Sequence, residues 1–551
     1  MQPVRHTFAG TVTVLLAALL LLPVSFNARA LVSPALLTAE YEWQQLGQNA
    51  QRMAYMPTEV PTPWRVRWVW NGPAGGGDGG AAAGHLPLPR GIQPIAADGM
   101  LYVGHSDGVV RAISEATGQL VWSSINLGAA IVNAGAYDAS SSSVYFGAQN
   151  GKFYQLDAAT GTQKRVVDVR GAIDMAPLLA GSTVYIGSRT GTLYALDKDT
   201  LSQRWSYDAG AQLIASPSYS ANHGGLVILL AEDKSVHALQ VDTGSRRWRV
   251  AVNGDGDPRR GNTVFADTFP VVSDANDVVL VRSYLIWDKM WLPTGGAPST
   301  VTEIRNYLTQ NPAYQSLFVL ELSTGVPRFV APVMVGAIGN GGDFQSVAPQ
   351  AVVKRLPDNS EVAYVLWRSR QACSSTCDGR EDTTLGELDL QTGNMRFVRD
   401  YKNAGSMRLP TDEQSPLSMA GNSLFHAHWM LLGGVRLTDR SMTLGSSYTS
   451  PIQTAELPPV LNTLAAGSCS NRSGHACPQS MIAPCDGYVA DPGFYVYYAS
   501  ACVYDQYFAP PVRSAIISNG VIYWKSVDGA ITAVAAASGA PAPPTGLRIL
   551  G

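Results

Sequence analysis

Four stretches of this sequence read as copies of one another, and that self-similarity constrains the fold more than any other feature. Leu101–Trp122 aligns with Val144–Arg165, Val184–Trp205 and Val227–Trp248. The copies begin at 101, 144, 184 and 227, a period of 40–43 residues. A strand-rich unit of that length cannot bury its apolar faces alone, and stacked units of this kind are the blades of a β-propeller. Each copy opens on an apolar run that suits a strand packed on both faces. A turn follows at Asp107-Gly108, Asn150-Gly151 or Thr190-Gly191, where glycine supplies the positive φ of a two-residue hairpin. A second strand, such as Leu193–Leu196, leads to another glycine turn at Gly118, Gly161 or Gly244. Four residues beyond that position stand Trp122, Trp205 and Trp248, flat rings large enough to fill the gap between blades.

Composition agrees with many short strands. The chain has 551 residues, more than one ordinary core organises. It carries 54 Gly and 34 Pro, with 46% hydrophobic and only 15% charged residues. That balance favours turns and strands and argues against extended disorder. A formal net charge of −3 gives no electrostatic reason to bind nucleic acid or an anionic membrane surface.

Fainter copies continue downstream. Val319–Gly325 has Phe329 in the aromatic position, and Glu387–Gly393 has Phe397. Ser423–Leu437 reads as a degenerate unit, and Val521–Gly529 with Ile531–Gly539 as the last. The predicted fold is all-β, with eight blades favoured over seven between residues 92 and 540. Trp64–Trp70 alternates as a strand that could close the ring against the final blade. The segments Ala112–Trp122, Ala195–Trp205 and Ala238–Trp248 resemble the tryptophan-docking repeat, A-x-D-x-x-T-G-x-x-x-W, of the PQQ-repeat (quinoprotein alcohol dehydrogenase-like) propeller family. Ser114 replaces the Asp in the first, and Leu201 replaces the Gly in the second.

The resemblance implies eight blades and structural docking tryptophans. It also implies an enzymatic alternative: a PQQ-dependent dehydrogenase with the cofactor on the propeller axis, stacked on a Trp and often on a disulfide between adjacent cysteines. A calcium ion would be held there by Glu, Asn and Asp, with an Asp as base. This sequence has no adjacent cysteines, and no residue matches the base or the calcium ligands. A third reading follows from the same repeat in a lipoprotein of outer-membrane barrel assembly, but no lipid-attachment cysteine follows the leader here.

The leader itself is an export signal over residues 1–30. Arg5 and His6 precede the apolar run Val12–Leu22, then Pro23 and the cleavage-type triplet Ala28-Arg29-Ala30. After cleavage no stretch is long and apolar enough to span a bilayer. Residues 31–91 form an N-terminal segment with a short helix expected over 35–56 and a Gly-rich linker over 71–84. Residues 541–551 form a Pro-rich tail. Three insertions interrupt the period. Residues 250–314 include a capping box, Thr300 with Glu303, before a short amphipathic helix. Residues 369–384 hold Cys373 and Cys377, and residues 441–511 hold Cys469, Cys477, Cys485 and Cys502. An even count in an exported chain points to disulfides. Pairing of sequence neighbours is expected, although the last four cysteines allow three arrangements. Residues 441–511 are also rich in tyrosine, as recognition surfaces are.

Two constellations could in principle hold a metal. His426 and His428 would share one face of a strand, and Asp255 and Asp257 sit in a Gly-Asp turn. Neither has the further ligands that would complete a site. The sequence is therefore read as a secreted, extracellular or periplasmic propeller that binds protein or glycan through its loop-bearing face. No cofactor is expected, with PQQ and calcium as the enzymatic alternative.

Overall fold

The computed structural model describes residues 41–61, 64–70, 93–256, 261–285, 300–333, 350–369, 382–399, 417–428, 431–438, 441–442, 494–497, 512–526 and 531–536. The leader, the Gly-rich linker, the tail and all six cysteines lie outside them. The strands assemble into eight sheets, seven of them four-stranded and antiparallel, while the eighth adds Tyr55–Met56 parallel to Ser418–Ala420. The inner strands are Ile95–Ala97, Ala136–Asp138, Leu178–Ala180, Ser218–Ser220, Val271–Ser273, Val352–Arg355, Ser418–Ala420 and Val512–Ser518, for blades 1 to 8 in order. Each inner strand contacts the next, and that of blade 8 contacts that of blade 1. The ring is an eight-bladed β-propeller.

Closure uses the chain's beginning. Trp64–Trp70 pairs antiparallel with Ile531–Ala536 and becomes the outer strand of blade 8. Sheets closed in this way leave only short outer edges.

The blades interlock through the tryptophans. Trp122, on the outer strand of blade 1, lies flat on Gly161 of blade 2. A Cβ at Gly161 would come within 2.4 Å of the ring, and its φ of +72° favours glycine as well. The indole N–H donates to Ala158 O at 3.0 Å. The same arrangement recurs for Trp205 on Gly244, Trp248 on Gly325, Phe329 on Gly393 and Trp68 on Gly118. Trp68 thus seals the join of blades 8 and 1, and donates to Glu115 O at 2.8 Å. Trp122, Trp205 and Trp248 each face an alanine of the third strand, Ala112, Ala195 and Ala238, which leaves room for the ring. Between blades 2 and 3 all three positions change together. Arg165 stands for the ring, opposite Gln155 rather than alanine, and donates to Asp199 O at 2.5 Å. With no ring to receive, Leu201 takes the glycine's place at φ +56°.

Two readings of the sequence need correction. Residues 250–314 are not one insertion, because Val271–Ser273 and Val278–Arg282 are the first two strands of blade 5. Residues 441–511 also contain strand: Ser441–Met442 and Phe494–Tyr497 both pair with the third strand of blade 7. The capping box at Thr300 and Glu303 does form and opens helix α1, Val301–Gln310. Ile304 and Leu308 are buried, and Arg305 donates to Val330 O and Gly393 O, holding the helix over the rim of blades 5 and 6.

Candidate functional site

A propeller's inner strands leave backbone groups facing the ring interior, and buried groups of that kind need partners. In this chain residues 41–56 supply them. Asn519 of blade 8 donates to Tyr41 O, and Trp43 pairs both ways with Ala96 of blade 1. Tyr137 of blade 2 donates to Gln44 O, and Leu179 of blade 3 donates to Gln45 Oε1 at 3.1 Å. Tyr219, Val272, Val353 and Met419, of blades 4 to 7, donate to Ala50, Gln51, Met53 and Ala54 O in turn. One segment therefore touches the inner strand of every blade. To turn so tightly it places Gly47, Gln48, Arg52 and Ala54 in left-handed backbone, with φ between +55° and +78°. Residues 35–40 of the expected helix lie outside the described residues, and over 42–56 no helix forms, because these tertiary pairings replace local ones.

Arg52 is the centre of this plug and is fully buried. It donates to Leu46 O at 2.6 Å, Pro177 O at 3.0 Å, Pro217 O at 3.1 Å and Gln45 Oε1 at 3.4 Å. Burial lowers the guanidinium to about 9, which leaves it charged at neutral pH. Trp43, also fully buried, donates to Gln93 Oε1 at 2.9 Å, which accepts from Gly47 N as well. Other polar side chains near the inner strands are similarly engaged. Asn133 donates to Asp174 O, Ser216 Oγ accepts from Ala176 N, and Thr268 donates to Phe265 O. Among the described residues no three His, Cys, Asp or Glu side chains group closely enough to hold a metal ion. The plug therefore lines the ring interior, where Ser418 Oγ on the inner strand of blade 7 is buried without a hydrogen-bond partner.

The residues singled out from the sequence are dispersed. His426 and His428 sit two apart on the second strand of blade 7, in register with Gly433 and Leu431. Asp255 N donates to Tyr284 O, and Asn253 donates to Pro312 O, so the Gly-Asp turn is tied to blade 5. Asp257 and the cysteines lie outside the described residues. The docking tryptophans and glycines form the blade joints described above.

One Ser–His contact escaped the sequence reading. On blade 4, Ser235 Oγ lies 2.6 Å from His237 Nε2, and Tyr207 OH of blade 3 lies 2.9 Å from Nδ1. The signal was only an alternating S-x-H on a strand. Both residues are fully buried, and Asp233 bonds to the serine rather than orienting the imidazole. Burial lowers His237 to about 4. The group ties strands together and offers no path to a substrate.

Chain topology sorts the loops. In an antiparallel meander, second-to-third connections and outer-to-inner connections leave on one face. The chain leaves on that face after Ala251, Arg282, Ser369, Arg399 and Tyr497. The plug lies towards the other face, where Gln51 meets Asp274 and Glu59 accepts from Asn422 N at 2.6 Å, both in first-to-second turns.

Residues 93–286 match the sequence profile of the family described as outer membrane protein assembly factor BamB. That segment carries PQQ-type repeats, within a chain that folds as an eight-bladed β-propeller. Among solved structures, quinohemoprotein alcohol dehydrogenase from Comamonas testosteroni is similar with a TM-score of 0.52 and 13% identity, over 93% of this chain and 82% of that one. BamB from Moraxella catarrhalis is similar with a TM-score of 0.47 and 14% identity, over 82% of this chain and 98% of that one. No curated protein matches. Identities this low show a shared fold and nothing about activity.

Proposed function

We propose that this PQQ-repeat propeller is an exported, non-catalytic binding module that engages a protein or glycan through the face bearing its long connections. The observation that carries the reading is the plug. Residues 41–56 occupy the ring interior, and Arg52 directs its donors onto backbone carbonyls there. A propeller so filled keeps the rigidity of its ring and leaves recognition to its loops, where functional surfaces commonly lie. The leader over residues 1–30 and the cysteine-bearing connections suit an oxidising compartment outside the cytoplasm.

Calorimetric titration of the purified chain with PQQ and calcium, followed by a dye-linked alcohol oxidation assay, tests the reading. Neither saturable heat nor turnover is expected. Saturable binding with turnover would make this a dehydrogenase and end the proposal. A glycan array and crosslinking to purified candidate proteins, repeated after replacing residues 499–510 with a short linker, test the positive arm. Binding unaffected by that replacement would move recognition off this connection.

A further inference from the structure

The point where the ring closes is also where the plug begins, and Glu115 and Glu42 both make their hydrogen bonds there. Glu115 ends the third strand of blade 1. Its backbone O accepts from Trp68 of the closing strand, and its Oε2 accepts from Asn519 Nδ2 of blade 8 at 3.2 Å. Asn519 N in turn donates to Tyr41 O at the start of the plug. Glu42, the next residue, accepts from Asp98 N at 2.8 Å through Oε1 and from Gln44 at 3.0 Å through Oε2. The Glu115 side chain thus joins blades 1 and 8, the Glu42 side chain joins the plug to blade 1, and the closing strand reaches Glu115 through its backbone carbonyl.

The surroundings suit neutral carboxyls. Glu115 Oε1 is buried without a hydrogen-bond partner. The titratable groups facing the pair are Asp98 from the first turn of blade 1, Tyr102 from its second strand and Tyr523 from blade 8. None of these is a cation. Arg67 on the closing strand is exposed and acts on Tyr523 rather than on either carboxyl. Glu42 is buried and Glu115 half-buried with its Oε1 shut off from water, so without a counter-ion both lose hydration on ionising, against which Asn519 and Ser518 offset part of the cost at Glu115.

We propose that Glu42 and Glu115 form a proton-held latch on the ring closure: protonated Glu115 keeps the N-terminal segment seated, and its ionisation releases that segment and loosens the join of blades 8 and 1. Burial, with a smaller contribution from Glu42, raises Glu115 from 4.5 to about 7. Burial raises Glu42 too. A carboxyl whose folded value lies above its unfolded one stabilises fully below the unfolded value. That contribution is lost as pH rises through the folded value. The window of release therefore runs from 4.5 to about 7. The left-handed residues of the plug add stored strain that favours release once the latch weakens.

Hydrogen exchange on the full chain tests the latch. After correction for intrinsic rates, protection of the 41–56 amides and of the blade 1 and blade 8 inner strands falls by roughly 30-fold between pH 5.5 and 8.5. Blades 3 and 4 should not follow. Glu115→Gln, a neutral isostere, abolishes the fall. Glu42→Gln, which removes the repelling neighbour, moves its midpoint to lower pH. Flat protection in the wild type, a fall that survives in Glu115→Gln, or a fall uniform over all eight blades would each overturn the proposal. A midpoint unmoved by Glu42→Gln would remove Glu42 from it.

Discussion

A double-mutant cycle on Trp122 and Gly161 tests whether flat docking of ring on glycine is what locks adjacent blades. Gly161 holds φ +72°, and a Cβ there would lie 2.4 Å from Trp122 Cε3. Gly161→Ala therefore carries two costs. Left-handed backbone with a Cβ costs about 1–2 kcal/mol. Displacing the ring costs about 2 kcal/mol more, from lost apolar contact and the stretched bond to Ala158 O. Trp122→Ala alone costs about 3–5 kcal/mol, as for other buried aromatics. In the double variant the ring is gone, so only the backbone cost of alanine remains. The cycle should then show a coupling of about 2 kcal/mol, with the double variant more stable than the sum of the singles. Leu201, in left-handed backbone where the neighbouring blade offers Arg165, shows that the backbone cost alone is tolerated. The assay is urea unfolding followed by circular dichroism, with exchange protection in blades 1 and 2 as a local check. Additivity within about 0.5 kcal/mol would refute the steric account.

Arg52→Met should destabilise the chain by about 3–5 kcal/mol, because three buried carbonyls lose their donor, and denaturant midpoints will report it. An unchanged midpoint would mean that Arg52 does not anchor the plug. His237 is held near 4 against an unfolded value of 6.5, so the unfolded chain binds more protons in that interval and stability falls as pH drops through it. His237→Asn should flatten this acid limb of the midpoint-versus-pH curve, and a limb of unchanged slope would assign the loss to other groups. Thr300→Ala removes the cap of α1 and should cost about 1 kcal/mol, read as faster exchange confined to 301–310. Faster exchange spread beyond the helix would show that the cap supports more than α1.

Blade architecture is written locally. Turn glycines, alternating strands and the spacing from Gly118 to Trp122 all act within one repeat, and each repeat contacts chiefly its neighbours. A linear pattern therefore yields the number of blades and names the rings that join them. Even the exception between blades 2 and 3 is visible in the letters, as Arg165 and Leu201, though only the docking geometry explains why they change together. Blade 5 was harder to read because the long 283–316 connection separates its second and third strands and breaks the period.

The ring interior depends on tertiary structure alone. Residues 41–56 have no periodicity of their own, and their helix-compatible composition misleads. Their conformation comes from hydrogen bonds to eight strands, the most distant more than 450 residues away at Asn519. The same holds for the Glu42–Glu115 pair, whose members look like ordinary surface acids in the sequence. Local propensity amounts to tenths of a kcal/mol per residue, whereas an unsatisfied buried N–H or carbonyl costs about 1–3 kcal/mol. Closing the ring buries the unpaired edge groups of eight inner strands together. The segment that satisfies them is chosen by reach and fit within the closed ring, which no local pattern encodes.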